Sequence, residues 1–164
     1  MKTPAPIKKI FITAAFVLAA TPFASQAALQ VNFPDGAECS HETAYALGHR
    51  GGWQITVNES DKLLSFPLVA DAEQNDMTQG TEVGILLVRY LEGELKVIYL
   101  MHEGFGLKEV HLYIDEDDPP DLAPGSYTAK AENMGSASIF THTSFQTTAS
   151  VNVVAHAVVQ LCKE

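Results

Sequence analysis

Apolar and polar residues alternate along seven short segments of the chain, which is the period-two pattern of half-buried β-strands. The alternation is clearest in segment 108–114, where Val110, Leu112 and Ile114 alternate with polar or amphipathic residues. The predicted strands are residues 53–57, 63–69, 81–91, 94–101, 108–114, 136–142 and 151–161. No segment after residue 27 shows the capped, 3.6-residue period of a helix. The pattern therefore predicts an all-β domain.

The residues between these segments predict tight turns and antiparallel neighbours. Glu92-Gly93 connects two apolar segments, and a glycine there allows the positive φ that a two-residue hairpin needs. Pro67 removes a backbone donor from segment 63–69, so this strand is expected to lie at a sheet edge or to carry a bulge. Residues 28–52 show little periodicity, which predicts a loop.

Residues 1–27 have the three-part organisation of a secretory signal. Three lysines precede the apolar run 10–20, and Ser25 and Ala27 supply small residues before the cleavage point. The run is shorter than the about 20 residues that span a bilayer. The sequence therefore predicts cleavage and secretion, either to the periplasm or to the extracellular space. An uncleaved membrane anchor is the alternative.

Cleavage would leave residues 28–164 as a single domain with enough residues to build a core. Many short strands joined by turns predict that this domain is an antiparallel β-sandwich. The signal holds three of the ten basic residues and none of the 20 acidic ones, so the mature formal charge is 7 − 20 = −13. So acidic a surface disfavours nucleic acid as a partner. No membrane span is predicted in the mature chain, because the apolar run 83–88 ends at Arg89.

Two cysteines, Cys39 and Cys162, lie near the two ends of the predicted domain. In an oxidising compartment an even number of cysteines usually forms bridges. The sequence therefore predicts a Cys39–Cys162 disulfide that joins the ends of the domain. Two free buried thiols are the alternative.

The acidic segment 115–121 is a candidate calcium loop. Asp115, Asp117, Asp118 and Asp121 supply the carboxylate oxygens that Ca²⁺ prefers, and extracellular modules bind calcium weakly. The alternating ligand spacing of a known calcium loop is missing. A solvated acidic turn is the alternative.

His111 and His156 lie within predicted strands, on the faces opposite the apolar stripes. If the two strands are neighbours, the two imidazoles could hold a transition metal such as Zn²⁺ or Cu²⁺. The alternative is that each histidine bonds to a nearby carbonyl or carboxylate and helps to fix the sheet.

Trp53 and Tyr113 are candidates for stacking on a ligand such as a sugar ring. Tyr113 points outward by the alternation of its strand. Aromatic residues are equally common in the core of a β-sandwich, which is the alternative for both residues.

The sequence holds no familiar catalytic signature, neither the G-x-S-x-G elbow nor the H-E-x-x-H helix. The protein is therefore predicted not to be an enzyme. A secreted hydrolase that uses an unrecognised pair of carboxylates is kept as an alternative, because such a pair is defined by its separation in space.

Four stretches after residue 104 share their order and spacing with a group of secreted proteins. They are residues 109–113 (E-V-H-L-Y), Pro119-Pro120, residues 124–127 (P-G-S-Y) and residues 154–159 (V-A-H-A-V-V). In this order they resemble the H-L-Y strand, Pro-rich loop, P-G-x-[FY] turn and A-H-A-V-V strand of secreted β-sandwich proteins from bacteria and marine animals. Residues 42–48 and 79–93 extend the likeness upstream. The resemblance implies an exported β domain and no particular reaction.

The chain departs from that pattern in two places. It has no cysteine near Gln74-Asn75, and a Trp-Gly-Trp stretch is shortened to Gly52-Trp53. The first departure implies that an internal bridge of the group is missing here, which leaves Cys39 and Cys162 to pair.

Three functions are consistent with these patterns. The leading hypothesis is an exported, non-catalytic interaction or structural module that contacts an extracellular or cell-surface protein or glycan and could also self-associate. The second is a calcium- or carbohydrate-binding module with no other cofactor. The third is the secreted hydrolase.

Overall fold

The computed structural model describes residues 29–48, 53–71, 80–118 and 127–163. The predicted signal peptide, residues 1–27, lies outside the described residues. In the described ranges, no helix has the length and apolar character needed to cross a membrane.

All regular secondary structure in the described part of the chain is β-strand. The strands are β1 (Glu38–Ala46), β2 (Gln54–Asn58), β3 (Leu63–Ala70), β4 (Thr81–Leu91), β5 (Glu94–Met101), β6 (Phe105–Asp115), β7 (Ala129–Ala131), β8 (Ile139–Phe145) and β9 (Ser150–Lys163). The all-β prediction is confirmed, and every strand pair is antiparallel.

The strands form one curled sheet, a half-barrel, in the order β7-β6-β9-β1-β3-β4-β5-β8, with β2 pairing the first part of β9. The predicted sandwich would have two separate sheets. Here β1 joins the two halves, because it pairs with β9 along Glu38–Tyr45 and with β3 along Ala44–Ala46. The halves of the sheet are therefore continuous through hydrogen bonds.

The hairpin predicted at Glu92-Gly93 and the irregularity predicted at Pro67 are both present. Glu92 and Gly93 both have positive φ, 52° and 76°, which is the backbone of a type I′ hairpin between β4 and β5. The β3–β4 pairing shifts between Leu68 and Val69, directly after Pro67, so the predicted bulge is present. The amide of Leu47 donates to the carbonyl of Pro67 at 3.0 Å.

The concave side of the sheet holds the hydrophobic core. Every second residue of the long strands points into it, as the alternation predicts, and Tyr90 and Tyr99 are the largest side chains that it buries completely. On β6 and β9 the core residues are Leu107, Val110, Leu112, Ile114, Val151, Val153, Ala155, Ala157 and Val159. Burial at about 25 cal/mol per Å² of apolar surface makes this shared interior the main source of stability.

The prediction of a loop over residues 28–52 is wrong where β1 lies. Residues Glu38 to His41 are exposed, and only Ala44 and Ala46 of this strand reach the core. A strand that buries so few large apolar side chains leaves a weak period-two signal in the sequence. Backbone hydrogen bonds to β9 and β3, rather than burial of its side chains, hold this strand in place.

The predicted disulfide between Cys39 and Cys162 is present. The two cysteines face each other directly in the register of β1 and β9, and 123 residues separate them along the chain. The bridge therefore fixes the outer end of the pair of strands that joins the two halves of the sheet.

We predict that replacing both cysteines, C39S with C162S, lowers the free energy of unfolding. The chain-entropy model gives about 4–5 kcal/mol for a loop of this length. Guanidinium denaturation of the wild-type protein and the double variant under the same buffer measures the difference. A difference below about 1 kcal/mol would show that β1 and β9 hold together without the bridge.

Candidate functional site

The outer face of the sheet, opposite the core, carries a histidine pair in the middle of three adjacent strands. Tyr45 on β1 lies directly opposite His156 on β9, and His156 lies directly opposite His111 on β6. Residues that face each other across antiparallel strands have Cβ atoms about 4.5–5.5 Å apart. The register alone therefore places these three rings side by side.

Two further rings join these three, Trp53 beside Tyr45 and Tyr127 beside both histidines. Trp53, just before β2, lies 4.7 Å from Tyr45 between ring centroids, and Tyr127, before β7, lies 5.2 Å from His111. We call the five residues Trp53, Tyr45, His156, His111 and Tyr127 the aromatic row. All five are half-buried.

Two neighbouring pairs in the aromatic row are stacked, whereas the Tyr45–Trp53 and His111–His156 pairs are tilted by 41°. Tyr45 and His156 are 4.8 Å apart with planes at 15°, and the planes of His111 and Tyr127 make an angle of 26°. Stacked rings cover one another's faces, which leaves their edges to meet solvent. The row therefore offers the hydrogen-bonding atoms at the ring edges more than broad aromatic faces.

The two imidazoles are in direct polar contact. Nδ1 of His111 lies 3.2 Å from Nδ1 of His156, and Nε2 of His111 lies 3.9 Å from a carboxylate oxygen of Glu109. Nε2 of His156 is buried and has no hydrogen-bond partner among the described residues. A hydrogen bond between two Nδ1 atoms needs a proton on only one of them. Because a buried N–H without a partner is costly, we infer that His156 donates and His111 accepts.

Burial and the neighbouring His111 both lower the pKa of His156, to about 4. Burial is the larger cause, because a charged imidazolium loses more hydration free energy than a neutral ring when it leaves water. His156 is therefore neutral at pH 7.

Tyr99 supports the histidine pair from the core side. Its hydroxyl donates to the carbonyl oxygens of His111 at 3.3 Å and of His156 at 3.4 Å. Burial raises the pKa of Tyr99 well above its usual value, so the hydroxyl stays protonated and remains a donor. A side chain of β5 thus reaches across the core and hydrogen-bonds to the backbone of β6 and β9 at the two histidines.

The acidic loop after β6 folds back on the same outer face. The hydroxyl of Tyr113 donates to the carbonyl oxygens of Asp117 and Asp118, and Nδ2 of Asn152 donates to the carbonyl of Asp117 at 3.2 Å. Asp118 accepts a 2.8 Å bond from Nε2 of Gln54. Neutral donors from the sheet therefore hold this loop.

The candidate calcium ligands are not gathered around one point. Asp115 accepts a bond from the backbone amide of Asp117 at 3.3 Å, while Asp118 accepts from side chains of the sheet. Asp121 lies outside the described residues. Across the described ranges, no group of three or more His, Cys, Asp or Glu side chains is placed to hold a metal ion. The calcium loop stays a prediction.

The two predicted stacking residues have different surroundings. Trp53 belongs to the aromatic row, in contact with Tyr45. Tyr113 lies on the outer face, as the alternation predicts, but it is only 6 % exposed. The acidic loop that bonds to its hydroxyl lies over that part of the face.

Sequence reasoning placed His111 and His156 on the outer face but did not connect Tyr45 or Tyr127 with them. Tyr45 lies in β1, which was predicted as loop, so its face was undefined. Tyr127 lies outside any strand. The sequence features that could have singled them out are the P-G-S-Y stretch of residues 124–127 and the A-Y-A segment of β1.

Comparison with protein-family models, curated proteins and solved structures finds no match to this chain. The function is therefore argued from the geometry of the aromatic row.

We predict that Tyr99→Phe lowers the free energy of unfolding by about 1 kcal/mol. The substitution keeps the buried ring and removes one hydroxyl that two backbone carbonyls share. Urea denaturation measures the change, and Tyr127→Phe is the matched control because its ring is half-buried. An equal loss in both variants would contradict the role assigned to the Tyr99 hydroxyl.

We predict that His156 makes stability depend on pH between 6.5 and 4. The folded protein holds the pKa of His156 at about 4, below the 6.5 of an unfolded chain, so unfolding takes up a proton in this window. The stabilising contribution is present above pH 6.5 and is lost as the pH falls towards 4. After allowance for solvent screening it amounts to about 1–2 kcal/mol.

Denaturation in EDTA-containing buffer at pH 7.5 and pH 4.5 tests this for the wild type, His156→Gln and His41→Gln. The carboxylates are present in all three proteins, so the difference in stability between the wild type and each variant reports the effect of the substituted histidine. The stability gap between wild type and His156→Gln should shrink at pH 4.5. His41 is exposed on β1, and its variant should follow the wild type at both pH values. A constant gap for His156→Gln would contradict the prediction.

Proposed function

We propose that the protein is an exported, non-catalytic interaction module and that the aromatic row is its contact surface. The observation that carries the proposal is the placing of one Trp, two Tyr and two His rings, all half-buried, in one contiguous cluster on the outer face. The disulfide supports export, because such bridges persist in oxidising compartments.

The composition of the row suits recognition of another molecule. Trp and Tyr supply large contact area with only two side-chain torsions to fix, so they lose little entropy on binding. They also dominate the residues whose truncation weakens protein interfaces most. Here mutual stacking restrains the rings before any partner arrives, which lowers the entropic cost further.

The edges of the row define the chemistry of the partner. Tyr hydroxyls and imidazole nitrogens both donate and accept hydrogen bonds, and His156 is uncharged at pH 7. Glu109 and Lys130 flank His111, one on its own strand and one directly opposite it on β7. A polar, hydrogen-bonding surface of an extracellular protein or of a glycan fits this mixture.

The rigidity of the sheet beneath adds to the proposal. Tyr99 ties the backbone under both histidines to β5, and β9 is paired along both of its edges. Sites built on strands hold their side chains more firmly than sites built on loops. The middle of the row, formed by Tyr45, His156 and His111, is therefore a preformed surface.

Binding to a glycan array and to immobilised extracellular-matrix and cell-surface proteins, with and without calcium, tests the proposal. We predict that Trp53→Ala and Tyr127→Ala each weaken the binding that the wild type shows by tenfold or more. Both substitutions keep the two histidines themselves, and the ring contact of Trp53 is with Tyr45.

Phe145→Ala is the matched control, because Phe145 is a large exposed ring, 78 % accessible, on a different strand. It should bind as the wild type does. Unchanged binding by both row variants, or an equal loss in Phe145→Ala, would refute the aromatic row as the contact surface. Loss of binding on calcium removal alone would favour the acidic loop instead.

A further inference from the structure

The histidine pair has the spacing of two ligands on one metal ion. The Nδ1 atoms of His111 and His156 are 3.2 Å apart. Two imidazole nitrogens bound to a tetrahedral ion, each at about 2.0–2.1 Å from the metal, lie about 3.3 Å from one another. The two atoms therefore already have the separation that a shared ion requires, and each ring turns so that its Nδ1 lone pair points at the ion instead of at the other nitrogen.

We propose that His111 and His156 bind one divalent transition-metal ion through their Nδ1 atoms, with Cu²⁺ bound more tightly than Zn²⁺. Water completes the coordination, since the described residues hold no third His, Cys, Asp or Glu close enough to join the pair. Imidazole suits both ions, and Cu²⁺ forms the stronger complexes in the general order of divalent metals. The site lies within the aromatic row but does not depend on what that row contacts.

The fold restrains both ligands before the ion arrives. His111 and His156 face each other in the register of β6 and β9, so their backbones are fixed. Tyr127 stacks on His111 and also lies 5.9 Å from His156, and Tyr45 stacks on His156, so each imidazole is held by neighbouring rings. A site with restrained ligands loses less side-chain entropy on binding.

The Nε2 atoms of the two histidines have different surroundings. When Nδ1 binds the metal, the proton of each ring is on Nε2. Nε2 of His111 faces the carboxylate of Glu109 at 3.9 Å, the kind of second partner that orients metal-binding histidines. Nε2 of His156 has no partner among the described residues, so its N–H would be buried at a cost. With only two protein ligands, we expect micromolar rather than nanomolar affinity.

Calorimetric titration of the purified protein with CuCl₂ and with ZnCl₂ at pH 7.5 tests the proposal without any partner molecule. We expect one Cu²⁺ per chain, with weaker binding of Zn²⁺, and a loss of Cu²⁺ affinity of at least tenfold in both His111→Asn and His156→Asn. Electron paramagnetic resonance of the copper complex should show coupling to two imidazole nitrogens in the wild type and to one in either variant.

His102→Asn is the matched control, because His102 pairs with a carboxylate of Glu82 at 3.1 Å and is another place where an ion could bind. The Cu²⁺ affinity of the His102→Asn variant should equal that of the wild type. Wild-type affinity in His111→Asn or His156→Asn, or loss of binding in His102→Asn, would overturn the proposal.

A nitrogen-15 NMR spectrum of the wild type with Zn²⁺ keeps the test independent of how the variants fold. Binding should shift Nδ1 of His111 and His156 together, and an unmoved pair at saturating Zn²⁺ would also overturn the proposal. Metal binding without any binding to the arrayed glycans and proteins would count against the interaction surface alone. Binding to one of those partners without metal binding would refute the metal site alone.

Discussion

Strand β9 is the constraint on which the rest of the structure depends, because its backbone is hydrogen-bonded along both edges. On one side it pairs with β6 from Phe105 to Asp115, and on the other with β2 and then β1. Its inward side chains from Val151 to Val159 form the floor of the core. Its outward side chain His156 is the centre of the aromatic row. One strand thus sets the curl of the sheet, the burial of the apolar residues and the position of the candidate site.

The sequence predicted most of the fold because most strands bury one face. The alternation over segments 94–101 and 151–161 identified core residues that are indeed buried, and Glu92-Gly93 identified the hairpin. It could not show that β1 exists, because a strand held by backbone pairing and two alanines leaves little pattern. It also could not show that the two halves form one sheet, since that continuity depends on the pairing of β1 with both β9 and β3.

The candidate site was predicted in part for a similar reason. Alternation gives the face of a strand, so His111 and His156 were placed on the outer side correctly. Which strands are neighbours, and in what register, is a long-range property that no local pattern contains. The contact between the two Nδ1 atoms and the place of Tyr45 beside His156 follow from that register, whereas Tyr127 lies outside any strand. For Tyr113 the predicted outward direction is correct, but the side chain is buried because the acidic loop lies over it.

The last strand of the sheet, β8, has a consequence for how chains of this protein behave at high concentration. It pairs with β5 on one edge, and no strand among the described residues occupies the other. Its seven residues, I-F-T-H-T-S-F, hold no Pro, Lys, Arg, Asp or Glu, the residues with which sheet proteins usually discourage the addition of foreign strands. His142 is the only titratable side chain of this strand, and burial lowers its pKa below the usual 6.5. At neutral pH this edge is therefore uncharged, and the net negative charge of the whole chain is what opposes strand-by-strand growth from one chain to the next.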